Sequence, residues 1–148
     1  MNVYSDLVKK KKARKQKRVA KSKRLGLNGA RTLKGRRKKA DMLFAYWVRA
    51  RDGNRCVVTG STAYPQCSHF FSRKFFGTRY SPENCVTLSA KKHFEWEHKK
   101  QTDYRDFMLK RLGEEKYLAL RERSDRNISL QAAVDEFFEW FNQEVSRG

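Results

Sequence analysis

The sequence predicts a small α+β domain that is preceded by a disordered basic arm. The first observation is the distribution of charge, since residues 1–40 contain 17 of the 35 Lys and Arg residues but one of the 16 acidic residues, Asp6. The second is a pair of short apolar segments, "CSHFFS" and "CVTLS", that are typical of β-strands. The third is a series of amphipathic helical segments around that pair. We therefore divide the chain into an arm over 1–39, a domain over 40–124 and a C-terminal amphipathic helix over 125–148 that packs on the domain or on a partner.

The arm has the composition of a nucleic-acid-binding tail. Its segment "KKKKARKQKRVAKSKR" has almost no large apolar side chain, so packing cannot offset the entropy that is lost on ordering. A block of like charge attracts a polyanion, because neutralising phosphates releases counterions. A solubility or targeting tail is the alternative, and a membrane-bound helix is disfavoured because Val19 is the single bulky apolar residue between Lys9 and Lys23. The predicted DNA contacts of the arm are Lys9, Lys10, Lys11, Lys12, Arg14, Arg36, Arg37 and Lys38.

Beyond the arm, the sequence predicts one helix, two strands and a further set of helices. The first helix starts at Ala40 and ends at Gly53, and "AKKHFEWEHKK" predicts a helix directly after the second strand. Residues 67–100 are thus predicted as strand, loop, strand and helix. Three more helical segments follow: "TDYRDFMLKRLG", with Thr102 as its N-cap and Gly113 as its end, "EEKYLALRERS" and "SLQAAVDEFFEWFNQEV". The last helix is expected to bury Leu130, Val134, Phe137, Phe138, Phe141 and Val145.

Targeting signals and cysteine usage predict a cytoplasmic protein. The charged N-terminal segment is not followed by an apolar run of the length that a secretory signal needs, and no segment is apolar enough to span a bilayer. Cys56, Cys67 and Cys85 are odd in number and form no close CxxC pair, which argues against a disulfide framework. We expect a protein of a reducing compartment with no membrane partner.

All three histidines of the chain fall between residues 68 and 98. His69 ends the first predicted strand, Asn84 follows 15 positions later, and His93 lies nine positions further on, in the predicted helix. If the strands form a hairpin that packs on this helix, the three side chains converge. Glu97 shares a helix face with His93, so an imidazole and a carboxylate can bind one cation together, whereas His98 points about 100° away.

This segment resembles the HNH, or ββα-metal, nuclease family. The order of "LFAYWVRARDGNRCVVTG", "SHFFSRKFFGTRYSPENCV" and "YRDFMLKRLGEEKYLAL" is similar to that of the phage NinG (Rap) recombination nucleases, in which a His-Phe-x-x-Arg and a Thr-Arg-aromatic element precede the asparagine. The resemblance covers about Leu43 to Leu120, roughly half of the chain. It implies a small His-Me finger core with flanking helices, and an endonuclease that cuts DNA, branched or junction DNA included. For a phage gene, the compartment would be the bacterial cytoplasm.

The resemblance also implies a role for each residue of the window. His69 would be the general base that activates water, Asn84 would hold the ring and loop of that histidine, and His93 would bind a divalent metal ion. Glu97 and His98 are candidates for further ligands of this ion. The ion would be Mg²⁺ or Mn²⁺ in first place, with Zn²⁺ or Ni²⁺ as alternatives. It would stabilise negative charge on the phosphate and the leaving oxygen, while imidazole titrates near neutral pH as a base requires.

The sequence departs from the family at the positions of its structural zinc. Many relatives have two CxxC knuckles, but here the first position is "CVVT" from Cys56 and the second is "SAKK" from Ser89. Ser68 also replaces an Asp or His that serves many relatives as an additional metal ligand. We therefore predict no structural zinc, with aromatic packing in its place, from Trp47, Phe70, Phe71 and Trp96.

Arg73, Lys74 and Arg79 lie between the predicted base and the asparagine, where they are placed for phosphate contacts, although a solvated basic rim is the alternative. Two other functions are left open. One is a DNA-binding module that has the HNH-like fold without turnover, and the other is a basic RNA-associated structural protein. The sequence leaves open whether the active form is a homodimer.

Overall fold

A two-stranded antiparallel sheet with helices around it forms the centre of the structure, a computed structural model that describes residues 32–147. The chain divides into two units at Lys39 and Ala40, and the sheet belongs to the second. The predicted α+β class is confirmed. The elements are helix α1 (Leu33–Arg51), strand β1 (Pro65–His69), a short 3-10 helix (Pro82–Asn84), strand β2 (Cys85–Ser89), and helices α2 (Ala90–His98), α3 (Gln101–Leu112), α4 (Glu114–Ser124) and α5 (Leu130–Arg147).

Helix α1 begins seven residues before the predicted start at Ala40. The hydroxyl of Thr32 accepts a hydrogen bond from the amide of Gly35 at 3.1 Å, which is an N-cap arrangement. Because Lys and Arg are good helix formers, the helix continues through basic residues that composition alone assigns to the arm. Residues 33–39 are therefore helical and not disordered. The prediction of disorder for residues 1–31, with Lys9 to Arg14, lies outside the described part of the chain.

The two strands pair in a register that sets the two faces of the hairpin. His69 lies opposite Cys85, and Ser68 lies opposite Val86. β2 is confirmed with its predicted bounds, but β1 covers Pro65–His69 and not 67–72. The strand ends early because the backbone of Phe71 is bound by a side chain of the next segment and leaves the ladder. Successive side chains alternate between the faces, so Cys67, His69 and Cys85 share one face.

Aromatic side chains cover both faces of the hairpin. On one face, Phe44 of α1 lies against His69, Tyr80 and Phe137, with ring centroids 5.7–6.1 Å apart. The buried cluster on the other face consists of Cys56, Val86, Leu88, Trp96, Tyr104 and Met108, with Phe70 packed against it. Of the predicted aromatic set, Phe70, Phe71 and Trp96 lie on or beside this cluster, whereas Trp47 contacts Trp140 of α5 instead.

The later helices follow the prediction with small differences at their ends. Gly113 ends α3 with φ +79°, a left-handed backbone conformation that suits glycine. Thr102 is not the N-cap, because the helix begins at Gln101. In α5, Val134, Phe137 and Phe138 are buried, but Val145 is 65% exposed because the last turns of the helix extend beyond the core. None of the helices in the described range is long and apolar enough to cross a bilayer.

Candidate active site and metal ligands

A cleft of about 710 Å³ is lined by residues of β1, of the loop that follows it and of helices α2 and α3. Its lining residues include Ser68, His69, Arg73, His93, Glu97 and Tyr104. The structure therefore brings the predicted base, His69, and the predicted ligands His93 and Glu97 to the same cavity. His98, the third predicted ligand, is not one of the residues that line it.

A hydrogen bond fixes the tautomer of His69 and leaves one of its ring nitrogens able to accept a proton. Its Nε2 lies 2.9 Å from the carbonyl oxygen of Arg79. Because a carbonyl can only accept, Nε2 carries the proton and the lone pair is on Nδ1. Burial lowers the pKa of His69 to about 4, with the positive charges of Arg73 and Arg79 adding to the effect and the Arg79 carbonyl opposing it. The imidazole is therefore neutral at pH 7, with a nitrogen free to accept a proton or to bind an ion.

The low pKa of His69 predicts a loss of stability in acid. The unfolded chain takes up a proton below about pH 6.5, whereas the folded chain does so near pH 4, so stability that is present above pH 6.5 is lost as the pH falls through this window. We expect the free energy of unfolding to decrease by about 3 kcal/mol through this residue. Urea denaturation of the parent and of His69→Gln, at pH 7 and at pH 4.5 with a chelator present, measures this change in the free energy of unfolding. The exposed His98 provides the matched control, His98→Gln. Equal pH dependence in the parent and in His69→Gln would show that another group is responsible.

Asn84 fixes the loop that leads away from His69. Its side chain is fully buried, and its Oδ1 accepts a hydrogen bond from the amide of Phe71 at 2.8 Å. Its Nδ2 donates to the carbonyl oxygens of Phe71 and Thr78, both at 3.0 Å. One amide group thus binds both ends of the segment 71–78, and the carbonyl of Arg79, the partner of His69, follows directly.

His93 and Glu97 form a pair that can bind a divalent ion. The Nδ1 of His93 lies 2.8 Å from the Oε1 of Gln66, so Nδ1 carries the proton and Nε2 has the lone pair. This Nε2 is 3.7 Å from the Oε2 of Glu97. Burial lowers the pKa of His93, although Glu97 opposes the shift, and the neutral form is the one that binds metals. His98 lies 3.7 Å from the same carboxylate oxygen, but on the solvent side of it, with 54% of its side chain exposed.

The position of Ser68 does not offer a further metal ligand. Its hydroxyl is buried and lies 2.9 Å from the hydroxyl of Tyr104. An ion at His93 and Glu97 would thus complete its shell with water and phosphate oxygens, which is the usual arrangement for Mg²⁺.

Of the three predicted phosphate contacts in the loop, Arg79 has a different role. Its guanidinium donates to both carboxylate oxygens of Asp41, at 3.0 and 2.8 Å, and to the carbonyl of Arg73 at 2.7 Å. The side chain is 9% exposed, so it is an internal ion-pair partner and not a surface cation. Arg73 and Lys74 are exposed, and Arg73 lines the cleft. Arg36, Arg37 and Lys38 lie on the first turns of α1.

Hydrogen bonds connect the positions that the resemblance to HNH proteins aligns with two zinc knuckles, namely Cys56, Thr59, Ser89 and Lys92. Burial raises the pKa of Cys56, but hydrogen bonds from the hydroxyl of Thr59 and from nearby amides, that of Ser89 included, lower it to about 7. The hydroxyl of Ser89 accepts a hydrogen bond from the amide of Lys92 at 3.3 Å. Polar contacts thus connect Cys56 with Thr59 and Ser89, and Ser89 with Lys92.

One group of potential metal ligands was missed at the sequence level. Among the described residues, Cys67, His69 and Cys85 place one ligand atom each within 4.8 Å of one another. The hydrogen bond with Cys85 lowers the pKa of the Cys67 thiol, with Arg49 and Arg51 adding, whereas burial raises the pKa of Cys85. The alternation of side chains along a strand could have indicated part of this group, because positions 67 and 69 share a face. The sulfur of Cys85 joins them because the hairpin register pairs residue 69 with residue 85.

No family model, curated protein or solved structure matches this chain.

Proposed function

We propose that the protein is a metal-dependent DNA endonuclease of the HNH type. The observation that carries the proposal is one cleft lined by the neutral imidazole of His69 and by His93 and Glu97, a pair that could bind a divalent ion. Hydrolysis of a phosphodiester needs a base for water and a cation for the phosphate, and the two requirements fall to different residues of one cavity.

In the proposed reaction, the Nδ1 of His69 removes a proton from a water molecule, and the water oxygen attacks phosphorus. The bond between phosphorus and the 3′ oxygen breaks, and the 3′ oxygen takes a proton from a solvent water, which leaves a 5′ phosphate and a 3′ hydroxyl. His69 then releases its proton to solvent. A divalent ion on His93 and Glu97 would supply positive charge for the phosphate oxygens. Arg73, which lines the cleft, is placed to contact a neighbouring phosphate.

Two further features support the HNH assignment. Asn84 binds the loop next to His69 through three hydrogen bonds, as the resemblance implies for this asparagine. The second feature is the hydrogen bond between the amide of Ser89 and the thiol of Cys56. These residues stand at the first positions of the two degenerate knuckles, and in HNH proteins with a structural zinc the two knuckles bind the same ion. A preference for branched DNA rests on the resemblance alone.

A DNA-binding module without turnover is the second candidate. It is favoured by the contact between Ser68 and Tyr104, which leaves two protein ligands for the catalytic ion. The low pKa of His69 also makes it a weaker base than an ordinary histidine.

Metal-dependent nicking of supercoiled plasmid separates the two candidates. The purified protein should nick the plasmid with Mg²⁺ or Mn²⁺, stop when excess EDTA is added, and resume when the ion is restored. The domain should remain folded in EDTA, which circular dichroism checks. Binding of DNA without nicking under any of these conditions would leave the module as the better assignment.

The basic arm should supply affinity and little selectivity. Deleting residues 1–31, which leaves the Thr32 cap of α1 intact, removes 12 Lys and Arg residues. DNA binding should weaken, and the slope of log K against log salt should become less steep by about 0.9 for each lost phosphate contact. Fluorescence anisotropy at several salt concentrations measures both quantities. An unchanged slope would mean that these residues do not contact DNA.

A further inference from the structure

Cys67, His69 and Cys85 converge because of the hairpin itself. The two residues of β1 are two positions apart and share a face, and Cys85 is paired directly with His69 across the ladder. Their ligand atoms lie within 4.8 Å of one another. Two thiolates and an imidazole are the ligands that Zn²⁺ and chemically similar ions prefer, with the fourth position open to water.

The surroundings of His69 suit a metal ligand. A histidine that binds a metal through one nitrogen usually donates the other N–H to a carbonyl or carboxylate, which fixes the tautomer and the orientation of the ring. The carbonyl of Arg79 plays this part for Nε2, at 2.9 Å. The nitrogen with the lone pair is then Nδ1, the same atom that the proposed reaction uses as the base.

Two of the three residues of this group line the cleft. Cys67 and His69 both face the cavity, whereas Cys85 is buried, with 1% of its surface exposed. Because the two thiols release protons on binding, the two sulfurs would balance the charge of a divalent ion. His93 and Glu97 offer one nitrogen and one carboxylate, a harder ligand set that suits Mg²⁺ and Mn²⁺.

We propose that Cys67, His69 and Cys85 form a second metal site, selective for thiophilic divalent ions of the Zn²⁺ and Cd²⁺ class, and that its occupation inhibits the enzyme. The inhibition rests on the proposed function, because the lone pair on Nδ1 of His69 cannot bind an ion and accept a proton from water at the same time. The binding of the ion to the three residues does not depend on the proposed function.

Cd²⁺ is the probe for binding, because thiolate coordination produces an ultraviolet charge-transfer band. With a reductant that does not bind metals, the full-length protein should bind one equivalent and show the band. Cys67→Ser and Cys85→Ser should each weaken binding at least tenfold and reduce the band. The third cysteine provides the matched control. Cys56→Ser should keep the affinity for Cd²⁺ and the ultraviolet band of the parent, because Cys56 lies outside the group. Circular dichroism checks that each variant is folded, and a serine variant that is not folded is replaced by the alanine variant at the same position. No band in the parent, or an equal band in the Cys67 variants, would overturn the site.

A second measurement tests inhibition. Nicking is followed at fixed Mn²⁺ while Zn²⁺ is increased, and each protein is compared with its own rate without Zn²⁺. The parent and Cys56→Ser should be inhibited at a Zn²⁺ concentration that leaves most of the activity of Cys67→Ser. Equal inhibition of all three would show that Zn²⁺ acts elsewhere, for example at His93. A parent that binds Cd²⁺ but never nicks DNA would refute the proposed function and the inhibition with it, while the site itself would stand.

Discussion

Replacing His69 by alanine should lower the rate of plasmid nicking about 10² to 10⁴-fold, which is the usual scale for the loss of a general base. DNA affinity should be unchanged, because the exposed cations Arg73 and Lys74 stay in place. Nicking rates and fluorescence anisotropy on the same preparation measure the two effects. If His69→Ala nicks DNA as fast as the parent, the nuclease assignment is wrong, and the binding module becomes the better interpretation.

His93→Ala should reduce the activity for a different reason, because it removes a ligand of the ion. Part of the lost rate should return at high Mn²⁺ or Mg²⁺, whereas His69→Ala should not respond to the ion. His98→Ala is the matched comparison, since this ring contacts the same carboxylate from outside the cleft. A His98 variant that shows the same recovery would identify His98 as the ligand in place of His93.

Replacing Asn84 by alanine should destabilise the domain by about 3 kcal/mol and slow nicking. The change leaves the amide of Phe71 and the carbonyls of Phe71 and Thr78 without their partner, and each unpaired group in a buried environment costs about 1–3 kcal/mol. The loop that positions the Arg79 carbonyl against His69 then loosens. Urea denaturation measures the stability, and nicking is compared well below the unfolding midpoint.

Asn84→Asp is the matched variant for this position. It keeps the oxygen that accepts from Phe71 but cannot donate to the two carbonyls, so its stability should lie at or below that of the alanine variant at pH 7. An Asn84→Ala protein with parental stability and activity would show that the loop is held by its other contacts.

The parts of the fold that depend on local sequence were predictable. The bounds of β2 and α4 follow from a short apolar run and from a helical period with clear ends. The convergence of His69, His93 and Glu97 on one cleft follows from the spacing of a hairpin that leads into a helix. The residues concerned lie in segments that are neighbours along the chain. The assumption that the two strands form a hairpin is therefore enough to predict that they converge.

The parts that depend on distant pairing were not predictable. The ion pair of Arg79 with Asp41 joins residues 38 positions apart, and nothing local distinguishes Arg79 from the exposed Arg73. The cluster of two cysteines with His69 requires the exact register of the strands, and a shift by one residue would separate them. The early start of α1 depended on a cap at Thr32 that lies within a segment dominated by charge.

If no metal ion binds at Cys56, Thr59, Ser89 and Lys92, as the sequence predicts, the polar contacts there determine how this part of the domain responds to mutation. A structural zinc ion concentrates about 10–16 kcal/mol of folding free energy in four ligands, so the loss of one ligand tends to be all-or-none. A hydrogen bond contributes about 1 kcal/mol, and here several of them converge on Cys56. The remaining stability would then come from packing such as that of the aromatic cluster around Trp96 and Tyr104. A domain of this kind would accumulate damage gradually, one side chain at a time.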